Sequence, residues 1–214
     1  MSNLIINSKE IADYCIAHSS QVSTVLTELE RVTYLRTLAP QMLSGQLVGN
    51  FMRNLCRSSD ARIALEIGTF TGYGSINIAK GLPEGGMLHT IDINPEYQSL
   101  VKEYFMKAQI SDRITLHLGN AIEIIPTLVE NIDFAYVDAD KESIMDYVNL
   151  ILPKLNKRGN ILVDNTLWSG KVIKNKQDSE TAHIHSFNQN ILKNPDLHVC
   201  MLPIRDGITW IQKT

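Results

Sequence analysis

Short apolar runs of strand length recur along the chain, and segments with helical periodicity separate most of them. In one such segment, apolar residues repeat at intervals of three and four, at Ile144, Tyr147, Val148, Ile151, Leu152 and Leu155. Strand and helix therefore alternate from about residue 60 to about residue 200, which is typical of a parallel sheet with helices on both faces. The predicted strands span residues 63–67, 87–93, 114–118, 132–137, 161–163, 199–204 and 208–211.

The two ends of the chain depart from this alternation. Only Arg205, Asp206 and Gly207 separate the last two predicted strands, so these strands must form a hairpin, which puts one antiparallel strand into the sheet. Before residue 60 the pattern predicts two or three helices divided by Pro40. With 214 residues, 44% of them hydrophobic, the chain can bury one full-sized core. We expect a single domain over residues 1–214, in which residues 1–40 form a helical cap or a dimerisation segment.

Charge and cysteine content narrow the classes of function. A net charge of -3 with a pI of about 6.1 gives no overall basic field for nucleic acid or anionic lipid, so we expect a small-molecule partner. The N-terminus lacks the charged and apolar regions of a signal peptide, and no apolar run approaches the roughly 18 residues of a membrane span. Three scattered cysteines, Cys15, Cys56 and Cys200, predict buried free thiols. Together these features predict a cytoplasmic protein without a membrane partner.

Oxygen ligands follow two of the predicted strands, at the points where the strands end. Asp138 follows one strand, and Asp164 and Asn165 follow the next one along the chain. If these strands are neighbours, two carboxylates and an amide carbonyl converge on one hard divalent cation, for which Mg²⁺ is the first candidate and Mn²⁺ or Ca²⁺ are alternatives. Lys141 is placed to act as a base beside that ion. A plainer interpretation is also open, with solvated strand-end acids, a surface pair between Lys141 and Asp140, and an ordinary Asp-Asn turn.

A glycine-containing turn follows the first predicted strand and opens a helix. It reads Glu66-Ile67-Gly68-Thr69-Phe70-Thr71-Gly72-Tyr73-Gly74, and its glycines let the backbone approach a ligand. Asp92 ends the next strand, where a carboxylate can accept both hydrogen bonds of a ribose diol. The spacing G-x-x-x-G-x-G is not that of dinucleotide sites, and Glu66 would repel a pyrophosphate but attract an amino group and a sulfonium. The turn favours a cationic nucleoside, while Glu66 as a helix-capping group and Asp92 as a turn residue stay open.

Taken together, these motifs resemble the small cation-dependent O-methyltransferases, the family of catechol and caffeoyl-coenzyme A O-methyltransferases within the class I S-adenosylmethionine-dependent methyltransferases. The resemblance spans about residues 35–214. The matching motifs are Met42-Leu43-Ser44-Gly45, the turn from Glu66 to Tyr73, Ile91-Asp92-Ile93-Asn94, Leu118-Gly119-Asn120-Ala121, Val137-Asp138-Ala139-Asp140-Lys141, Val163-Asp164-Asn165-Thr166-Leu167-Trp168-Ser169-Gly170 and Asp206-Gly207-Ile208. The family has a Rossmann-like α/β fold with sheet order 3-2-1-4-5-7-6, which implies that the fourth and fifth strands are adjacent.

The resemblance implies which residues bind S-adenosylmethionine. Met42 and Ser44 would line its methionine side, Glu66 and Gly68 would hold its amino group and backbone, Asp92 would hold the ribose, and Ala121 would border the adenine. The implied cofactor site in full is Met42, Ser44, Glu66, Gly68, Thr69, Gly74, Ser75, Asp92, Ile93, Ala121 and Asp138. Two positions depart from the family pattern. Gly74 stands where the family usually has the Ser that binds the cofactor carboxylate, so that Ser75 would have to serve instead, and Asn120 stands in place of Asp.

The resemblance also implies the metal ligands and the catalytic groups. Asp138, Asp164 and Asn165 match the metal ligands, and Lys141 matches the lysine that deprotonates the acceptor hydroxyl, with Asp138 beside it as the second catalytic residue. A homodimer is implied as well. Trp168 and Tyr73 are candidates for the walls of the acceptor pocket.

We therefore expect an O-methyltransferase that depends on S-adenosylmethionine and a divalent cation and acts on a catechol-like or hydroxycinnamoyl-type aromatic hydroxyl. One alternative is methylation of a hydroxylated tRNA base, which the weak net acidity and the few clustered basic residues disfavour. A second is an NAD-dependent oxidoreductase, which Glu66 disfavours. A third is a binding protein that has lost turnover, which the complete set of candidate metal ligands disfavours.

Overall fold

The computed structural model describes residues 8–128 and 131–214, so the first seven residues of the predicted N-terminal segment 1–40 lie outside the described residues. Seven strands form one sheet in the order β3-β2-β1-β4-β5-β7-β6. The strands are β1 Ile63–Ile67, β2 Met87–Asp92, β3 Ile114–Leu118, β4 Ile132–Val137, β5 Leu155–Asp164, β6 Leu197–Leu202 and β7 Ile208–Lys213. The α-helices are α1 Lys9–Ala17, α2 Thr24–Arg36, α3 Gly45–Ser58, α4 Tyr73–Gly81, α5 Gln98–Lys107, α6 Ala121–Ile124, α7 Ile144–Ile151 and α8 Ser179–Asn190.

The strand directions agree with the prediction. The strands β1 to β5 pair in parallel, and β7 runs antiparallel to both β5 and β6. The predicted α/β fold with the order 3-2-1-4-5-7-6 is therefore confirmed. Pro40 opens a short 3-10 turn between α2 and α3, as the sequence predicted.

The fifth strand is longer than predicted. It begins at Leu155 rather than at residue 161, and Leu155 pairs with Ile132 before the register of the two strands shifts. Arg158 has a φ of 63° at this irregularity. The spacing of Leu155 from the preceding apolar residues is compatible with a helix or with a strand. The predicted helical pattern therefore included Leu155, which belongs to β5 in the structure.

Two layers of apolar side chains cover the sheet. On one face, Phe134 and Leu162 pack with Met52 and Tyr104 from the helices. On the other face, the core is built from strand residues such as Ala135 and Ile161 and from α7 and α8. The strands alternate between these layers because successive side chains of a strand point to opposite faces.

Hydrogen bonds beyond the strands tie the carboxyl ends of the central strands together. The amide of Asp138 donates to the carbonyl of Ile67 at 2.9 Å, and the amide of Gly68 donates to the carbonyl of Ile91 at 2.9 Å. The strand order reverses between β1 and β4. In open α/β sheets this switch point forms a crevice in which ligands bind.

Cysteine exposure differs in part from the prediction. Cys56 is buried, but Cys15 and Cys200 are exposed, so the expectation of three buried thiols was wrong for these two. The reason is their location, since α1 buries none of its residues and β6 is an edge strand. No helix among residues 8–128 and 131–214 combines the length and the apolar character that crossing a bilayer requires.

Candidate active site

A cavity of about 840 Å³ lies at the carboxyl ends of the central strands. Its volume suits a ligand the size of a nucleoside together with a second small molecule. The predicted site residues among its lining are Met42, Ser44, Glu66, Gly68, Thr69, Gly74, Asp92, Ile93, Ala121, Asp138, Lys141 and Asn165. Tyr73 and Trp168, the predicted walls of the acceptor pocket, also line it.

Glu66 is held in place by two hydroxyl groups. Its side chain is 1% exposed, and its carboxylate accepts hydrogen bonds from the hydroxyl of Ser75 and, at 2.6 Å, from the hydroxyl of Thr90. Burial raises the pKa of Glu66 to about 8, against the opposing effect of these donors. Ser75 is fully buried and its hydroxyl is used by Glu66. The expectation that Ser75 binds the cofactor carboxylate through its hydroxyl or its backbone N–H stays a prediction, and the hydroxyl is already engaged by Glu66.

Gly74 and Ser75 act on Glu66 together. A Cβ atom on residue 74 would lie within 3.0 Å of Oε1 of Glu66, closer than real Cβ contacts. The missing side chain at Gly74 therefore makes room for the Glu66 carboxylate, and the Ser75 hydroxyl fixes that carboxylate. Gly74, one of the two departures from the family pattern, thus forms a single local arrangement with Ser75 and Glu66.

Asp92 shapes the glycine turn. Its carboxylate accepts hydrogen bonds from the amide of Phe70 at 2.7 Å and from the amide of Asn94 at 2.8 Å. Phe70 has a φ of 49°, a conformation that the bond to Asp92 supports. Each carboxylate oxygen has a second lone pair, so Asp92 keeps capacity for the hydroxyls of a ribose. In a comparable role, Asn120 caps α6 by accepting from the amide of Ile122 at 2.9 Å.

Asp138 and Asp164 approach the same phenol group. Asp138 follows β4 and Asp164 ends β5, and the preceding residues Val137 and Val163 are partners in the sheet. The hydroxyl of Tyr136 lies 2.5 Å from Oδ2 of Asp164 and 3.4 Å from Oδ2 of Asp138. The predicted adjacency of these two strand ends is present, and it brings the two carboxylates to one place.

Lys141 contacts Asp138 rather than Asp140. Its Nζ lies 3.4 Å from Oδ1 of Asp138, and its side chain is 9% exposed. The carboxylate of Asp140 is instead engaged by the hydroxyl of Tyr147 at 2.5 Å and by the amide of Ser143 at 2.9 Å. The plainer interpretation of Lys141 as a surface partner of Asp140 does not describe the structure. The amine of Lys141 lies nearly buried at the cavity wall.

The electrostatics of the two aspartates are suited to a cation. Burial and the nearby charge of Asp164 raise the pKa of Asp138 to about 6, and Lys141 offsets only part of this. Asn165 lines the cavity beside them with a φ of 61°. The described residues include no group of three or more His, Cys, Asp or Glu side chains that could hold a metal ion. The candidate set consists of two carboxylates and an amide, which is the oxygen chemistry that Mg²⁺ prefers.

Tyr136 and Arg205 are among the cavity residues that the sequence prediction missed. Tyr136 stands two residues before Asp138, so the alternation of the strand puts both side chains on one face and could have indicated their contact. Arg205 comes from the turn between β6 and β7, with a φ of 51°. Its guanidinium donates to the carbonyls of Ser44 and Gln41, far away along the chain. No local pattern indicates that contact.

Comparisons with known proteins identify the family of the chain. The family described as O-methyltransferase matches residues 16–214. Caffeoyl-CoA O-methyltransferase 1 of Eucalyptus globulus is 30% identical over 94% of this chain and 89% of its own length. The catechol O-methyltransferase domain-containing protein 1 of Mus musculus is 28% identical over 92% of this chain and 77% of its own length.

Solved structures show the same fold. The methyltransferase PaMTH1 of Podospora anserina, solved with bound SAH, has a TM-score of 0.89 and 26% identity, with 100% of both chains covered. TomG of Streptomyces achromogenes, solved with SAM, has a TM-score of 0.87 at 24% identity, with 96% of both chains covered. Since the family match extends over residues 16–214, the chain belongs to the O-methyltransferase family and is an enzyme of that family.

Proposed function

We propose that the protein transfers a methyl group from S-adenosylmethionine to the hydroxyl of a catechol-like or hydroxycinnamoyl-type aromatic compound, with the help of a divalent cation. One observation carries this proposal. Asp138 and Asp164 share the hydroxyl of Tyr136, and Lys141, which lines the cavity with Asp138 and Tyr136, lies 3.4 Å from Asp138. A buried acid and a partly exposed acid beside a lysine and a glycine turn suit a cation, a base and a nucleoside in one place.

The glycine turn and its neighbours would bind the methyl donor. S-adenosylmethionine, when bound, supplies a methyl group activated by the positively charged sulfur. Glu66 offers a carboxyl group for the donor's amino group, and Asp92 offers oxygen lone pairs to the ribose hydroxyls. Ala121, at the start of α6, borders the part of the cavity assigned to the adenine. The similar methyltransferase solved with bound SAH supports the choice of this methyl donor.

The acceptor would lie between Lys141 and the end of β5. Asp138, Asp164 and Asn165 would hold the divalent cation, which supplies Lewis acidity toward the acceptor hydroxyl. Nζ of Lys141 is placed to accept the proton of that hydroxyl, and Asp138 orients the lysine. The indole of Trp168 lies 6.0 Å from Nζ of Lys141 and forms an apolar wall that would fix the aromatic ring. Orientation of this kind is required because methyl transfer proceeds by in-line displacement.

The charge of the cavity favours a small acceptor over RNA. Among its described lining residues, the basic side chains are Lys141 and Arg205, whereas the acidic side chains are Glu66, Asp92, Asp138, Asp140, Glu142 and Glu180. A polyanion requires a basic surface at the site. The glycine spacing G-x-x-x-G-x-G likewise disfavours NAD, because dinucleotide sites use G-x-G-x-x-G. A protein that only binds would not need Lys141 beside the paired acids.

A methylation assay tests the proposal. The protein is incubated with S-adenosylmethionine and, in separate reactions, a catechol, a hydroxycinnamoyl thioester or tRNA, with Mg²⁺ or with EDTA. We expect methylation of the catechol or the thioester, and we expect EDTA and Asp138→Ala to abolish it. Asp112→Ala, an exposed position before β3, serves as the control that keeps activity. Activity that survives both EDTA and Asp138→Ala would refute the role of the cation.

We also propose that the protein forms a homodimer, as the family resemblance implies. Exposed apolar side chains on α1 and at the end of α2 support this, with Tyr14 63%, Leu35 73% and Leu38, just beyond α2, 98% exposed. Such surfaces are commonly covered by a partner. Light scattering after size-exclusion chromatography measures the mass in solution, and a monomer at micromolar concentration would contradict the dimer.

A further inference from the structure

The phenol of Tyr136 is built into the place where the two strand-end acids meet. Tyr136 is 1% exposed, and its ring belongs to the same apolar layer as Phe134, two residues earlier on β4. Packing alone would be satisfied by a phenylalanine here, as it is at Phe134. A buried hydroxyl is unfavourable unless it is hydrogen bonded. Packing therefore explains the ring of Tyr136 but not its hydroxyl, whose role must lie in its hydrogen bonds.

The contacts of that hydroxyl are the two carboxylates. It donates to Oδ2 of Asp164 at 2.5 Å and lies 3.4 Å from Oδ2 of Asp138. The other oxygen of Asp164 accepts from the amide of Asn165 at 2.7 Å. Asp164 is thus fixed at both oxygens, and each oxygen retains a lone pair.

We propose that Tyr136 is a positioning residue for the cation site, and that its hydroxyl holds Asp164 in the orientation in which Asp164 and Asp138 converge on one divalent ion. This inference rests on the proposed function, because it assigns a role toward the proposed ion. Without the phenol, the buried Asp164 loses the donor that fixes its Oδ2, and repulsion from the neighbouring Asp138 would turn this oxygen away. Partners that orient metal ligands typically change metal affinity by about 10-fold to 100-fold when they are removed.

Binding of Mn²⁺, a spectroscopic substitute for Mg²⁺, tests the role of Tyr136. Free Mn²⁺ is measured by electron paramagnetic resonance during titration of the wild-type protein, Tyr136→Phe and Tyr104→Phe. Tyr104 is a matched control, since it is 1% exposed, packs in the same apolar layer and bonds Glu28 with its hydroxyl. We expect Tyr136→Phe to weaken Mn²⁺ binding by about 10-fold or more. We expect Tyr104→Phe to leave it within about twofold, and both variants to bind S-adenosylhomocysteine like the wild type.

The outcomes separate this inference from the proposed function. If the wild-type protein binds no Mn²⁺, the cation site itself is refuted and the role of Tyr136 with it. If the wild type binds Mn²⁺ and Tyr136→Phe binds it equally or more tightly, only the role of Tyr136 is refuted.

A measurement on the wild-type protein keeps the test valid should Tyr136→Phe fail to fold. In protein labelled with ¹³C at Cζ of tyrosine, Mg²⁺ is expected to shift a buried tyrosine resonance, and Mn²⁺ is expected to broaden the same resonance. Bound Mn²⁺ that leaves every tyrosine resonance unchanged would overturn the proposal.

Discussion

The carbonyl oxygen of Asp138 lies within 3.0 Å of the point that a Cβ atom on residue 68 would occupy, so that only glycine fits between β1 and the end of β4. Gly68 also has a φ of 99°, which L side chains rarely adopt. The glycine of the turn is thus required by the protein's own backbone, in addition to any ligand. This contact puts the turn next to the acids that follow β4 and joins the two halves of the candidate site.

Gly68→Ala is expected to lower the free energy of unfolding by about 2–4 kcal/mol, because left-handed strain is combined with a backbone clash. Urea unfolding measures this loss. Gly85→Ala is the matched control, since Gly85 has a φ of 75° and no atom within 4 Å of the added Cβ. It is expected to lose about 1 kcal/mol from strain alone. Equal losses in the two variants would show that the contact with Asp138 is unimportant.

The sheet was predictable from the sequence because its strands are short, apolar and separated by helical periods. The periodicity of apolar residues gave the wrong assignment at Leu155, because this residue fits both a helical and a strand pattern. Its pairing with Ile132 places it in β5. The order of the strands did not follow from periodicity and came from the family resemblance. The sequence also could not predict the exposure of Cys15 and Cys200, since exposure depends on whether another element covers α1 and β6.

The site was predictable where its residues stand at strand ends. Asp138, Asp164 and Asn165 follow apolar runs, and parallel strands bring such positions to one edge of the sheet. Arg205 was not predictable, because it reaches Ser44 from the opposite end of the chain. The use of the Ser75 hydroxyl was also missed, since only the structure shows that Glu66 occupies the space at Gly74.

Glu66→Gln is expected to make the free energy of unfolding less dependent on pH. The pKa of Glu66 is raised by burial from 4.5 to about 8 in the folded protein. Between pH 4.5 and about 8, the folded state thus binds a proton that the unfolded state has released. The contribution of Glu66 to the free energy of unfolding is therefore largest below pH 4.5 and is lost as the pH rises toward about 8. The variant, measured without cofactor and in EDTA, should therefore gain stability relative to the wild type across this range.

The control variant for this prediction is Ser75→Ala, which removes one hydrogen-bond donor to Glu66 and keeps the Glu66 carboxyl group. This variant should retain the loss of stability with rising pH, because burial is the main cause of the raised pKa. Urea unfolding at several pH values measures both variants. A difference between Glu66→Gln and the wild type that stays constant with pH would contradict the buried protonated state of Glu66.

Arg205→Ala is expected to weaken binding of S-adenosylmethionine by about 5-fold to 10-fold, on the order of 1 kcal/mol. The reason is that Arg205 ties the carbonyls of Ser44 and Gln41, which belong to the cavity wall. Isothermal titration calorimetry measures the affinity. Arg113→Ala is the control, since Arg113 also donates to backbone carbonyls, at Leu82 and Pro83, outside the cavity lining. An equal loss of affinity in both variants would mean that the effect is one of general stability.

Lys141→Ala is expected to lower kcat by about 10²-fold to 10⁴-fold while cofactor affinity changes little, because the lysine is proposed to accept the acceptor's proton and not to bind the methyl donor. Steady-state kinetics with the preferred acceptor measures kcat, and calorimetry measures the affinity for S-adenosylhomocysteine. A selective loss of cofactor binding would contradict the proposed role.

Lys171→Ala is the control for Lys141→Ala. It separates the loss of the proton acceptor from the loss of a positive charge near Trp168. Nζ of Lys171 lies 5.9 Å from the Trp168 ring and Nζ of Lys141 lies 6.0 Å from it, so both amines contact the same indole. Lys171 pairs with Asp178 at 3.1 Å, whereas Lys141 contacts Asp138. If the charge over the indole mattered most, both variants would lose turnover alike. A fall in kcat confined to Lys141→Ala would instead assign the effect to the amine beside Asp138, where the acceptor hydroxyl must lose its proton.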